Sequence, residues 1–170
     1  MEPTEIRAEM RRAQAEFEQM TRTANPQAMR RATNGTRWTN RQLLFHMVLG
    51  YGVVRTLLPL VRALGRLGHS TGFARVLDAT RAPFHVVNYL GARCAGEVVS
   101  PRAMTLLLAR LVNGLDRSLT TDADRGRLGL AMHFPTTWDP YFRSTMTVLD
   151  VYHFGTQHFD HHRRQLTLDG

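Results

Sequence analysis

Two histidines four residues apart, His158 and His162, lie in the run Gln157-His158-Phe159-Asp160-His161-His162-Arg163-Arg164-Gln165. On a helix, residues at i and i+4 leave the same face one turn apart. That spacing lets one helix give two imidazole ligands to a single metal ion. Half of the chain's eight histidines fall between positions 153 and 162, so position on the helix must choose among them. His161 is three residues from His158, but its ring projects roughly 100° away from that of His162. It falls off the apolar stripe, and the spacing therefore favours His162 with His161 as competitor. His153 is five residues from His158 and also off that face. His69, His85 and His133 fall in loops or connections and read as solvent-facing or packing residues.

Four long helices are predicted to position these side chains. The first spans about 4–24, where Ile6, Met10, Ala13, Phe17 and Met20 alternate spacings of four and three. Asn25-Pro26 ends it. The second follows Thr39, an N-cap whose partner three residues on, Gln42, completes a capping box. Its stripe is Leu43, His46, Gly50, Val53, Leu57, Leu60 and Leu64, with Pro59 near the end and Gly65 and Gly68 closing it. The third starts at Ser100-Pro101, a cap followed by proline at the first helical position, and runs to about 120–122 with Met104, Leu108, Leu111 and Leu115 inward. The fourth is predicted from Asp139-Pro140 to about Leu166, on the stripe Ser144, Val148, Val151, Gly155, His158, His162 and Gln165. The connection 68–99 holds a possible short helix over 82–95. No repeat or β-alternation is evident, and the pattern predicts an all-α, antiparallel four-helix bundle with an extra short helix between helices 2 and 3.

His46 then takes an inward position on the second helix, as His158 and His162 do on the fourth. Burying imidazoles without partners is costly, and one shared cation would satisfy all three. Three neutral imidazoles leave at least one coordination position free, the pattern of a catalytic rather than a structural zinc site. Imidazole also suits nickel, copper and iron. Gly50 and Gly155, on the same stripes, are expected to leave open space beside the ion.

Composition sets the limits. The 170 residues suffice for one domain spanning 1–170. The longest uncharged apolar segment, Leu43 to Val54, contains His46 and stops at Arg55, so no stretch approaches the ~20 apolar residues of a membrane span. The acidic, helix-like start has no apolar signal region, and a cytoplasmic protein is expected. One cysteine, Cys94, allows no intrachain disulfide, fits a reducing compartment and reads as a small core residue. The net charge of +8 comes from 22 basic residues, all of them arginine. They are scattered in ones and twos without interleaved aromatics, which argues against a nucleic-acid partner.

Trp38-Thr39 followed by Leu43 to His46 resembles the second-helix motif of the DinB-like (YfiT-like) metal-binding superfamily. Phe134-Pro135-Thr136-Thr137-Trp138-Asp139-Pro140, Met146-Thr147 and His158-x-x-x-His162-Arg163-Arg164-Gln165 resemble its last-helix region. The resemblance spans roughly 5–168. It implies a four-helix bundle holding a divalent metal, zinc or nickel foremost, on His46, His158 and His162. It also implies a thiol S-transferase, in which a low-molecular-weight thiol such as mycothiol or bacillithiol attacks an electrophilic substrate, and a homodimer. The chain departs from the commoner pattern in its long apolar connection, a potential lid, substrate wall or dimer contact. It also has Arg164 where glycine is frequent.

Further side chains are candidates for the same site. Arg55, Arg62, Arg163 and Arg164 could hold an anionic substrate group. Tyr51, Tyr152 and Gln165 could reach a ligand on the ion, and Asp150 and Asp160 could orient histidines. No nucleophile elbow, phosphate loop or paired catalytic carboxylates are present, and one cysteine excludes a zinc ribbon. The expected function is a metal-dependent transferase that activates a small thiol. The alternatives are a metal-dependent hydrolase and a non-enzymatic metal- or ligand-binding stress protein.

Overall fold

Local signals set most of the helix boundaries. The computed structural model describes residues 1–68, 72, 78 and 81–168. Among these are six helices, α1 (Pro3–Thr23), α2 (Pro26–Arg30), α3 (Asn40–Leu67), α4 (Arg81–Val98), α5 (Pro101–Asp124) and α6 (Val148–Arg163). One antiparallel ribbon joins β1 (Ala131–His133) to β2 (Thr145–Thr147), with Met132 opposite Met146. Thr39 and Gln42 cap α3 reciprocally, Ser100 accepts from the Ala103 N–H at the start of α5, and Gly68 ends α3 in the left-handed region. The predicted face of α1 is buried at Ile6, Met10, Ala13 and Phe17.

Side-chain pairs give the helix directions. Arg7 of α1 meets Asp116 and Thr120 near the end of α5, while Thr21 meets Thr105 near its start. These two helices are therefore antiparallel. So are α3 and α6, through His46 with His158 and Tyr51 with Thr156. By contrast α3 runs parallel to α5, where Arg62 meets Asp122, and α1 runs parallel to α6, where Glu9 meets His153 and Glu16 meets Arg163. The all-α bundle thus mixes antiparallel and parallel neighbours. The reason is α4. It packs back along α3, with Gln42 against Gly96 and Trp38 beside Tyr89, and so returns the chain to the end where α3 began. The expected short helix over 82–95 is this full-length fifth long helix. His69 and the side chain of His85 lie outside the described residues.

The fourth long helix begins later than its sequence suggests. Asp139-Pro140 does not cap it; the Asp139 carboxylate accepts from the Tyr141 N–H in a loop turn. The helix starts at Val148, where Thr147 and Asp150 form a capping box. Ser144, placed on the predicted stripe, is an exposed loop residue whose carbonyl accepts from the Phe134 N–H. The stripe of α3 also drifts. Beyond Gly50 the fully buried residues are Tyr51, Val54, Leu58 and Val61, while Val53, Leu57, Leu60 and Leu64 are half-buried. A helix packed between α4, α5 and α6 is buried on more than one face. By length and composition α3 could cross a membrane, although 56% of its most apolar window is buried inside the bundle, as in the core helix of a globular fold.

Candidate metal centre

Near the start of α3 and the end of α6, the antiparallel crossing brings three imidazoles together. His46 Nε2 lies 3.1 Å from His162 Nε2 and 3.1 Å from His158 Nε2. The ring centroids are 4.5–4.8 Å apart. His46 and His158 are buried and His162 is half-buried. The structure thus brings together the three histidines expected from the sequence. It places His161 beside Tyr141 instead, its Nδ1 3.4 Å from the hydroxyl, and His153 against Glu9.

Glycine makes the crossing possible, in a different way from that expected. A Cβ on Gly50 would lie 2.8 Å from the His158 Cε1 atom, and one on Gly155 would lie 3.1 Å from the Tyr51 ring. The space these glycines leave is filled by the His158 and Tyr51 rings rather than left open beside an ion. Trp38 covers the other flank, its ring 4.5 Å from that of His46.

The protonation state follows from burial. Desolvation, helped by the neighbouring His162, lowers the His46 pKa from 6.5 to about 3, with the Asn88 amide opposing to a smaller extent. Desolvation lowers that of His162 to about 4, against a hydrogen bond to Gln165 Oε1 that favours the charged form. His158 is driven the same way by burial and by both neighbours. All three rings are neutral at neutral pH.

These neutral rings fit a cation. His162 Nδ1 is 2.7 Å from Gln165 Oε1; its N–H donates there, which leaves Nε2 as a bare lone pair facing the triad. A single proton shared among three facing nitrogens cannot satisfy them all, whereas a cation accepts three lone pairs. Separations of 3.1 Å suit nitrogens each about 2.0–2.1 Å from a common ion. His46 Nδ1 and His158 Nδ1 are buried without a well-formed hydrogen bond, whereas His162 Nδ1 has one behind it. The His46, His158 and His162 group could hold a divalent metal ion.

The three histidines form one wall of a cleft of about 250 Å³. Trp38, Leu49, Gly50, Val53 and Leu57, Asn88 of α4, Phe154 and His161 of α6 and residues of the loop 134–142 also line it. That loop is held by the ribbon beneath it and by packing of Phe142 against Phe134 and Phe154.

The family profile described as the DinB superfamily matches residues 9–166. The chain belongs to the DinB superfamily. No curated protein and no solved structure matches it. The buried histidine group is compatible with metal binding.

Several other side chains weighed from the sequence fall elsewhere. Asp150 caps α6 and pairs with Arg143, and Asp160 pairs with Arg12, so neither orients a histidine. Tyr51 meets Thr156, and Tyr152 meets Asp122 at the far end of the bundle. Arg62 binds Asp122 and Arg163 binds Glu16; none of the four weighed arginines lines the cleft. Cys94 is exposed rather than in the core. Gln165 does reach the site, but through His162. It sits two residues beyond the end of α6, fixed by its N–H to the His162 carbonyl and by its carbonyl accepting from the Asn34 N–H. Sequence reasoning missed Asn88 and the aromatic loop as cleft walls. The quoted Phe134–Pro140 motif was the signal for the loop.

Proposed function

We propose that this DinB-superfamily protein is a metal-dependent transferase that activates a low-molecular-weight thiol for attack on an electrophilic substrate. The observation that carries the reading is the convergence of three neutral imidazoles on the wall of an apolar cleft. His46, His158 and His162 would hold a divalent ion, zinc or nickel, and leave a coordination position facing the cleft. When bound, the ion supplies the positive charge that lets a thiol ionise at neutral pH. The chain's own contributions are separate. Gln165 fixes the tautomer and direction of His162. Trp38 and Gly50 hold the His46 and His158 rings in register. The apolar loop and helix walls exclude water, which strengthens electrostatics at the triad.

Metal-loaded protein incubated with a small thiol and a model electrophile is expected to turn over, and His46→Ala to abolish that turnover. Unchanged turnover in His46→Ala contradicts the proposal. Cleavage of ester or phosphoester probes without thiol would instead favour the hydrolase, and stoichiometric metal with no turnover of either kind would favour a binding protein.

A further inference from the structure

The cleft carries information about what enters it. Beyond the histidines its walls include rings and branched chains: Leu57, Phe134, Trp138, Tyr141, Phe142 and Phe154, the last packed on His158. The aromatic packing is ordered, with Phe134 and Phe142 edge to face at 5.2 Å and Phe142 tilted on Phe154 at 4.7 Å. Such surfaces favour flat, polarisable partners, which pack offset or edge to face against them.

Charge is the second observation. The chain carries 22 arginines and a net charge of +8, yet among the described residues none of the side chains lining the cleft is basic apart from histidine. The weighed arginines that could have recognised an anion are spent elsewhere: Arg62 on Asp122 and Arg163 on Glu16. The cleft wall does contain an acid, Asp139. Its Oδ1 accepts from the Tyr141 N–H, and burial pushes its pKa up. An anionic ligand would lose its hydration, meet this carboxylate and find no guanidinium among the described residues in return. A cationic one would lose its hydration against walls that, among the described residues, offer it a single carboxylate. The size is the third constraint, because about 250 Å³ falls just below the ~300–1,000 Å³ of drug-sized pockets.

We infer that the cleft takes a small, uncharged electrophile with an aromatic or similarly flat apolar body, and discriminates against carboxylate-bearing analogues. The electrophile role rests on the transferase reading; the preference for neutral aromatic ligands rests on the walls alone.

A matched pair of unreactive probes, 2,4-dinitrotoluene and 2,4-dinitrobenzoate, separates the two. The chain's two tryptophans, Trp38 and Trp138, both line the cleft, so quenching of their fluorescence reads occupancy. The toluene is expected to bind at least about tenfold more tightly than the benzoate, both as purified and after EDTA treatment, and Asp139→Asn to narrow that ratio. Phe154→Leu, a mild change, is expected to weaken binding of the neutral probe. Equal or tighter binding of the benzoate in either form overturns the inference.

The turnover arm uses 2-mercaptoethanol with 1-chloro-2,4-dinitrobenzene or 4-chloro-3,5-dinitrobenzoate. In each, sulfur bonds to the ring carbon bearing chlorine, the C–Cl bond breaks, chloride leaves with the electron pair and the thiol proton passes to solvent. Higher kcat/KM for the neutral electrophile, relative to its uncatalysed rate, supports the inference. Equal turnover of both keeps the transferase reading and overturns the substrate class. Selective binding of dinitrotoluene with no turnover of either keeps the cleft's preference and overturns the transferase reading.

Discussion

Two polar clusters are buried near opposite ends of α3, and they are built on opposite principles. At the far end, Asp122 is 1% exposed and receives Arg62, through Nε at 3.0 Å, and the Tyr152 hydroxyl at 2.9 Å. Arg62 also reaches Ser118 at 2.7 Å. Anion, cation, hydroxyl donor and acceptor are all present, and the network closes on itself. Roughly 24 Å along the helix, the triad contains three side chains of one kind, no opposite charge and two Nδ1 atoms without a well-formed partner. A polar cluster complete in its own residues belongs to the fold. A cluster that lacks its complement points to something the chain binds.

The largest effect that sharpens this contrast is expected at the closed network. Asp122→Ala leaves the Arg62 guanidinium and the Tyr152 hydroxyl without their acceptor. Removing one partner of a buried pair costs roughly 3–5 kcal/mol; Arg62 is partly exposed, so the lower end is expected. Urea unfolding measures it, and metal content should be unchanged. If the variant is as stable as the parent, the far network is not the structural element described.

Acid should act at the triad. The folded pKa values, about 3 for His46 and about 4 for His162, lie below the ordinary 6.5 that the unfolded chain would show. Between these values the unfolded chain takes up protons that the folded triad refuses. Stability of the metal-free protein is therefore full above about pH 6.5 and falls as pH drops through 6.5 toward 4 and 3. In His46→Ala the fall over that window should shrink. An identical profile would show that the triad is not the source.

A smaller effect tests the ligand whose Nδ1 has a well-formed hydrogen bond. Gln165→Ala removes the acceptor 2.7 Å from His162 Nδ1 and is expected to weaken metal affinity about 10–100-fold while leaving the urea midpoint of the metal-free protein nearly unchanged. Loss of stability without loss of affinity would make Gln165 a structural residue only.

How much of this was legible in the sequence depends on the range of the signal. Thr39 with Gln42 and Ser100 with Pro101 are local, and both marked the observed helix starts. The i, i+4 pair on α6 and His46 on α3 were legible because inward stripes on facing helices must meet. Asp139-Pro140 imitated a cap, but three-residue strands at 131–133 and 145–147 are too short to show alternation, and they displace the helix start to Val148. The short α2 gave no stripe to read. The roles of Gly50 and Gly155 were misjudged because a missing Cβ indicates close approach without saying which side chain fills the gap. Asp122 and Tyr152 were unreadable as partners, since nothing local links residues on different helices 30 positions apart.

The most direct test is the metal content of untagged protein by elemental analysis, compared across histidine variants. About one divalent ion per chain is expected in the parent and in His161→Ala, and none in the His158→Ala, His162→Ala double variant. No bound metal in the parent under several loading conditions, or full retention in the double variant, would contradict the account.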